Sequence, residues 1–277
     1  MGFAVGMIPG LSQASETRLQ EILDSRITTV TAESLATLPF AILGSGDADL
    51  GRLGVEVVGG SDLSVVVTDV SRPIGHLRIE AAAPGCLVFL DNRMAEGNLH
   101  GNIRMLGTDC VVMLHGLDAG YIALQELFMR SNGQMLFWGK GATAVGCSIE
   151  IEGDGRVVAI GDDALLSSGI WIRNHDMHAI HDLRTGAKIN RPPVDTILER
   201  HVWVGQNALL LNCQRIGAGS IVGAQSLLKG VVGECVAVGG VPARVIRYQV
   251  TWGRAASGMI EAERALLGPI PGAILDA

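Results

Sequence analysis

Between Leu198 and Leu228 an aliphatic residue returns every six positions: Leu198, Val204, Leu210, Ile216, Val222 and Leu228. One place after these stand Glu199, Gly205, Leu211, Gly217, Gly223 and Lys229. Four places after them stand Val202, Ala208, Gln214, Ser220, Ser226 and Val232, mostly small or β-branched. A period of six fits neither an α-helix nor a flat, half-buried strand. It fits a chain that turns a corner every six residues and points one aliphatic inward from each side, which predicts a parallel β-helix. In a chain that is 48% hydrophobic, six such hits alone arise by chance about 1% of the time. The glycines and small residues at fixed places in the repeat separate this pattern from ordinary sandwich strands. Two further hexads, Ile160 to Leu165 and Leu166 to Trp171, carry the same form upstream.

Elsewhere the pattern changes. In residues 1–75, Ser15 is placed to cap a helix from Glu16 to about Ser25 that turns Leu19, Ile22 and Leu23 to one side. Thr31 opens a second short helix, with Leu35 and Leu38 facing in. Strand-like sequence follows at Val55 to Val58 and Leu63 to Thr68, around a Gly59-Gly60 turn. The expectation is a small mixed α/β segment. From His76 to Gly155 short apolar runs such as Cys86 to Leu90 and Cys110 to Leu114 alternate with glycines, and Tyr121 to Met129 reads as either strand or short helix. These predict irregular coils of the same β-helix, giving a coil domain over 76–250. Residues 251–277 form a tail, with a capping helix from Ala256 to Leu267 that packs Ile260, Ala265 and Leu266 downward. Between Arg173 and Asp195 the beat stops, and a loop of this length inside a regular repeat marks a functional segment.

Composition sharpens this. Thirty-seven glycines, 18% charged and 4% aromatic residues suit a turn-rich β protein whose narrow interior is filled by Val, Ile, Leu and Ala. The net charge of −7, with no basic run, argues against wholesale nucleic-acid binding. The five cysteines are scattered without a C-x-x-C pair, which predicts reduced thiols in a cytoplasmic protein. No start resembling a signal peptide and no apolar stretch long enough to span a membrane is present.

The candidate chemistry lies in the loop. His175, His178 and His181 sit there, with His201 just beyond. Three readings follow: a metal site, solvated loop histidines, or a general base whose ordinary pKa is already near neutrality. Successive side chains of an extended strand alternate, so the three loop rings cannot share one side, and a metal would need a ligand from elsewhere such as His201. Asp176 and Asp182 are near enough in sequence to orient a base.

The segment Ile160 to Trp252 resembles the hexapeptide-repeat, left-handed β-helix acyltransferases, and within them the sugar and capsular-polysaccharide O-acetyltransferases. The resemblance rests on Asp176-Met177-His178, Thr185-Gly186, Asn190 to Pro192, His201-Val202-Trp203-Val204-Gly205 and Gly240-Val241-Pro242-Ala243-Arg244-Val245-Ile246. It implies an all-β, left-handed parallel β-helix and an acetyl-CoA-dependent O-acetyltransferase acting on a sugar hydroxyl. His178 takes the position of the general base, Asp176 a supporting one, and Trp203 that of a wall of the substrate site. Gly205, Gly223 and Ala224 fall where the pantetheine arm is expected, with Lys229, Arg244 and Arg247 as cations for its phosphates. At Leu228-Lys229-Gly230 the chain departs from the Thr-Lys usual in that family. The resemblance also implies a homotrimer with sites between subunits, and no metal. Rival readings are an N-acetyltransferase on an amino sugar, a β-helical metal hydro-lyase of the carbonic anhydrase type, and a non-catalytic β-helix scaffold.

Overall fold

The computed structural model describes residues 8, 10–59, 62–115, 117 and 120–267. Gly60 of the expected Gly59-Gly60 turn and residues 268–277 of the expected tail lie outside them. The six aliphatics of the beat are all buried: Leu198, Val204, Leu210, Ile216 and Val222 are 0% exposed and Leu228 is 4%. They point into a left-handed parallel β-helix whose strands pair with the strand one coil below. Val204 pairs with Val222, and Val222 with Val238. On a second face Ile172, Leu210 and Leu228 follow each other. On the third, Ile160, Leu198, Ile216 and Val232 do.

Two devices make the corners. Asp163, His201, Asn207 and Gln225 adopt positive φ between 57° and 58°, each three places after an inward aliphatic. Left-handed backbone at a corner lets the chain bend sharply, and short polar side chains tolerate it best. The glycines serve stacking instead. A Cβ on Gly205 would lie 2.6 Å from the Ala224 nitrogen, and one on Gly217 2.6 Å from the Glu234 nitrogen. Only glycine lets successive corners approach this closely.

Upstream the coil is wider, which is why the beat blurs. From Val88 to Val112, and from Val112 to Leu136, each turn takes 24 residues; from Val204 to Val222 it takes 18, and from Val222 to Val238 only 16. Two sides of each wide coil form one long strand, such as Leu99–Met105, Ile122–Met129 and Thr143–Ile151. The Tyr121 to Met129 stretch is therefore strand. The wide interior accommodates Trp138, which is 0% exposed and donates its indole N–H to the Ala142 carbonyl at 3.0 Å. The narrower coils enclose Ala208, Ser220 and Ser226.

The parallel ladder begins at Val55–Gly59 and Leu63–Val67, which pair with Gly75–Ala81 and Cys86–Leu90. Before it come α1 (Gln13–Leu23), capped by Ser12, α2 (Ala32–Ala36), capped by Thr31, and α3 (Ala48–Leu53). The cap of α1 is Ser12, not Ser15, whose backbone N–H is the one received. The first two helices explain the sequence before the coil. Leu19, Ile22, Leu23 and Leu35 pack on the outside of one face, against Phe89, Met113 and Phe137. These outward side chains are apolar, so the face needs a cover. Burying a side chain of this size contributes about 1.5–3 kcal/mol.

At the far end, Val236–Gly240 turns back through the cis Val241-Pro242 bond into Ala243–Tyr248, which pairs antiparallel with it. The tail then folds down over a corner. The Trp252 ring stacks on the His201 ring at 4.3 Å between centroids. α4 (Glu261–Leu267) is held by its first turn, where Glu263 accepts the backbone N–H groups of Arg254 and Ile260. That anchor, with Leu267, is what packs inward. The helix starts at Glu261 and not at Ala256, and Ile260, 57% exposed, and the exposed Ala265 do not pack down as expected, while Leu266 is half-buried.

Candidate active site

The loop leaves the coil after Ile170–Arg173 and rejoins it at Thr196–Leu198. Asn174, fully buried, ties both ends to the coil below. Its amide donates to the Glu152 carbonyl at 2.9 Å and the Val194 carbonyl at 3.0 Å, and its oxygen accepts the Glu152 N–H. Beyond this knot the chain forms a short hairpin arm. Ile189 donates to the Ile180 carbonyl, Asp182 to that of Ala187, and His181 bridges to Lys188. The tip residue Leu183 is 99% exposed, and Met177, Ile180 and Ile189 are also exposed.

A depression of about 420 Å³ lies between arm and coil, lined by Glu152, His175, Asp176, His178, Lys188 and Asn190 among others. The Asp176 carboxylate is fixed from two elements, by the amide of Asn190 at 3.0 Å and that of Asn212 at 3.2 Å. The Asn190 amide also donates to the His178 carbonyl at 3.1 Å, and its oxygen accepts the Ile180 N–H. Asp176 thus fixes the backbone that carries His178 and does not bond to its ring.

The four histidines separate cleanly. His201 is 0% exposed; its ring nitrogens face Asp163 Oδ2 at 2.6 Å and the Trp252 carbonyl at 2.9 Å. It fastens the tail. His175 is buried and accepts the Met177 N–H on Nδ1 at 3.0 Å, which places its proton on Nε2. Burial pushes its pKa down, against the pull of Glu152 and Glu150. The His181 Nδ1 lies 3.2 Å from the Gly186 carbonyl within the arm. The exposed His178 imidazole makes no hydrogen bond among the described residues and borders the depression. Among these residues no three of His, Cys, Asp and Glu converge to hold a metal ion.

The remaining site residues are spread around the prism. Trp203 stands on a different face from the arm, 37% exposed, with its indole donating to Ser167 Oγ at 3.3 Å. Gly205 is buried in the corner stack against Ala224, and Gly223 stacks on Gly239, the cross-strand partner of Arg244. Gly223, Ala224 and Arg244 therefore share one corner, whereas Gly205 leaves no outward space. Arg247 pairs with Ala237 further along the hairpin. Lys229 follows Leu228 on the face from which the arm departs. Asn174, Asn190 and Asn212 fix the arm, a role that the sequence reading gave to none of them. Asn190 lay within the Asn190 to Pro192 motif, and Asn174 directly follows the last residue of the interrupted coil. Asn212 carried no signal, since it sits inside a hexad.

No family model matches the chain. It is 38% identical over 77 residues to a polysialic acid O-acetyltransferase of Neisseria meningitidis, covering 24% of this chain and 35% of that protein. It is 30% identical over 96 residues to a galactoside O-acetyltransferase of Escherichia coli K12, covering 34% and 45%. The chain spans half or less of the length of the curated relatives it matches. Among solved structures, the polySia specific acetyltransferase NeuO superposes with a TM-score of 0.57 at 21% identity, over 75% of this chain and 82% of that one, which shows a shared fold. The chain is thus a hexapeptide-repeat, left-handed β-helix protein, similar in its repeat segment to the sugar O-acetyltransferases.

Proposed function

We propose that this protein is an acetyl-CoA-dependent O-acetyltransferase acting on a sugar hydroxyl of a polysaccharide, glycan or sugar precursor. The observation that carries the reading is the His178 imidazole, unengaged and exposed, on a backbone clamped through Asp176 and Asn190 beside a depression open to substrate. A general base needs a fixed position and a free nitrogen. His178 takes the proton of the acceptor hydroxyl as its oxygen attacks the thioester carbonyl carbon. The C–O bond forms, the C–S bond breaks, and the proton on the imidazole passes to the departing CoA thiolate. Transfer is direct, with no acyl-enzyme. Positioning of the two substrates and proton removal supply the rate.

The coenzyme lies along the corner of Gly223, Ala224 and Arg244, with Arg247 and Lys229 as further cations for its phosphates. Gly205 serves this corner by letting it stack. Trp203 forms a wall of the acceptor site. Because Trp203 and His178 stand on different faces, the complete site combines the arm of one subunit with the corner of a neighbour in a homotrimer. The exposed Leu183, Ile180 and Ile189 of the arm are suited to that contact. No helix among the described residues is long and apolar enough to cross a membrane; a cytoplasmic protein meeting cytoplasmic acetyl-CoA is our reading. Incubation with acetyl-CoA and a panel of glycans and amino sugars, read by CoA release and mass spectrometry, tests it. An O-acetylated glycan is the expected product. Transfer only to amines, or no CoA release with any acceptor, contradicts the reading.

A further inference from the structure

A cavity of about 590 Å³ lies away from the arm, between the N-terminal cap and the wide coils. Its wall is built from successive coils. Asp91 follows the strand Cys86–Leu90, His115 follows Val111–Leu114, and Lys140 lies just past Met135–Trp138. Backbone bonds stack them: Asp91 donates to the Leu114 carbonyl at 3.0 Å and His115 to that of Trp138 at 2.9 Å. Leu38 from the cap and Met94 supply an apolar side.

The polar groups here are assembled rather than scattered. Asp91, 4% exposed, accepts Thr68 Oγ1 at 3.0 Å and two bonds of 2.8 Å from the Arg93 guanidinium. Burial would raise its carboxyl, but Arg93 and His115 outweigh that and hold it well below the usual range. His115 is 7% exposed. Its Nδ1 lies 2.9 Å from Asp91 Oδ2 and is turned to that carboxylate, so Nε2 is the ring nitrogen that makes no hydrogen bond among the described residues. A ring held in this way leaves its Nε2 edge for a ligand in the cavity that His115 lines. Among the residues that line the cavity, Asp91 is matched by Arg93, which leaves the charge of Lys140 in excess. Among the described residues Lys140 makes no ion pair. A cavity of this volume lies in the range of small-molecule sites.

We propose that this cavity is a second binding site, distinct from the acetyl-transfer site, for a single sugar unit bearing an acid group, either carboxylate or phosphate. The acid group sits between Lys140 and His115, and the sugar body lies against Leu38 and Met94. Such a ligand bridges the N-terminal cap to the stacked coils.

Isothermal titration calorimetry with glucuronic acid, glucose 1-phosphate and neutral glucose tests this, using the wild type, Lys140→Met, His115→Gln and His178→Ala. Lys140→Met changes an exposed side chain and leaves the core intact should His115→Gln fold poorly. The expected result is binding of one or both acids, and not glucose, by the wild type and by His178→Ala alike. Lys140→Met and any folded His115→Gln weaken it at least about tenfold. Which acid binds identifies the group recognised. Absence of binding by either acid, unchanged binding in Lys140→Met, or loss of binding in His178→Ala overturns the proposal. None of these outcomes depends on acetyl transfer.

Discussion

The Asn190 side chain donates to the Asp176 carboxylate at 3.0 Å across fourteen residues of arm. The same amide nitrogen reaches the His178 carbonyl at 3.1 Å. One side chain thus closes the arm upon itself around the proposed base. Asn190→Ala frees His178 to wander without touching its ring. The expected effect is a fall in kcat of about 10²-fold, the cost of misplacing a catalytic group by an ångström. The unfolding midpoint should stay put, because the arm is exposed. Steady-state kinetics beside a thermal melt check this; full activity in Asn190→Ala would remove the clamp from the account.

At the opposite corner Asp163 joins His201 at 2.6 Å to Arg254 at 2.5 Å. Burial raises the Asp163 carboxyl, but hydrogen bonds from His201 and Arg254 outweigh it and hold its pKa below the usual range. A carboxyl depressed on folding stabilises the native state above its unfolded pKa of about 3.9, and that contribution disappears as pH falls through the folded value. Asp163→Asn should therefore cost about 1–3 kcal/mol at pH 7. Its deficit relative to wild type should shrink toward pH 3. Urea unfolding at both pH values reads the difference.

Gly205 distinguishes stacking from coenzyme contact. A Cβ there meets the Ala224 nitrogen at 2.6 Å, so Gly205→Ala strains the coil by about 1–3 kcal/mol. The folded variant should keep the wild-type KM for acetyl-CoA. A changed KM with unchanged stability would assign Gly205 to the coenzyme instead.

The N-terminal cap should prove integral to the fold. Leu19 is 0% exposed and belongs to the cluster with Phe89 and Phe137. Leu19→Ala should cost about 2–5 kcal/mol and raise binding of a hydrophobic dye as the covered face opens. An unchanged denaturation midpoint would mean that the cap is dispensable.

The narrow coils were legible because a buried aliphatic returns every six residues from Leu198 to Leu228. The wide coils were not, since 22 to 24 residues per turn leave no six-residue period to find. The strands at Val55 and Leu63 read as strands, but their parallel pairing depends on partners more than twenty residues away. Likewise, the sequence marked α1 and α2 without indicating that they cover an outer face, because Met113 and Phe137 look like core residues in either case. At the site, the break in the beat located the arm and its Asp176-Met177-His178 segment. The burial of His175, the exposure of His178 and the long-range bonds of His201 to Asp163 and Trp252 arise from tertiary packing that spacing does not encode.

The central claim is that His178 removes the proton from the acceptor hydroxyl. The most direct measurement is the rate of acetyl transfer from acetyl-CoA to an accepted glycan by wild type and His178→Ala, with His175→Gln alongside as the buried neighbour. The account predicts that His178→Ala loses about 10²–10⁴-fold in kcat while melting at the wild-type temperature. A His178→Ala protein that transfers acetyl at the wild-type rate would contradict it.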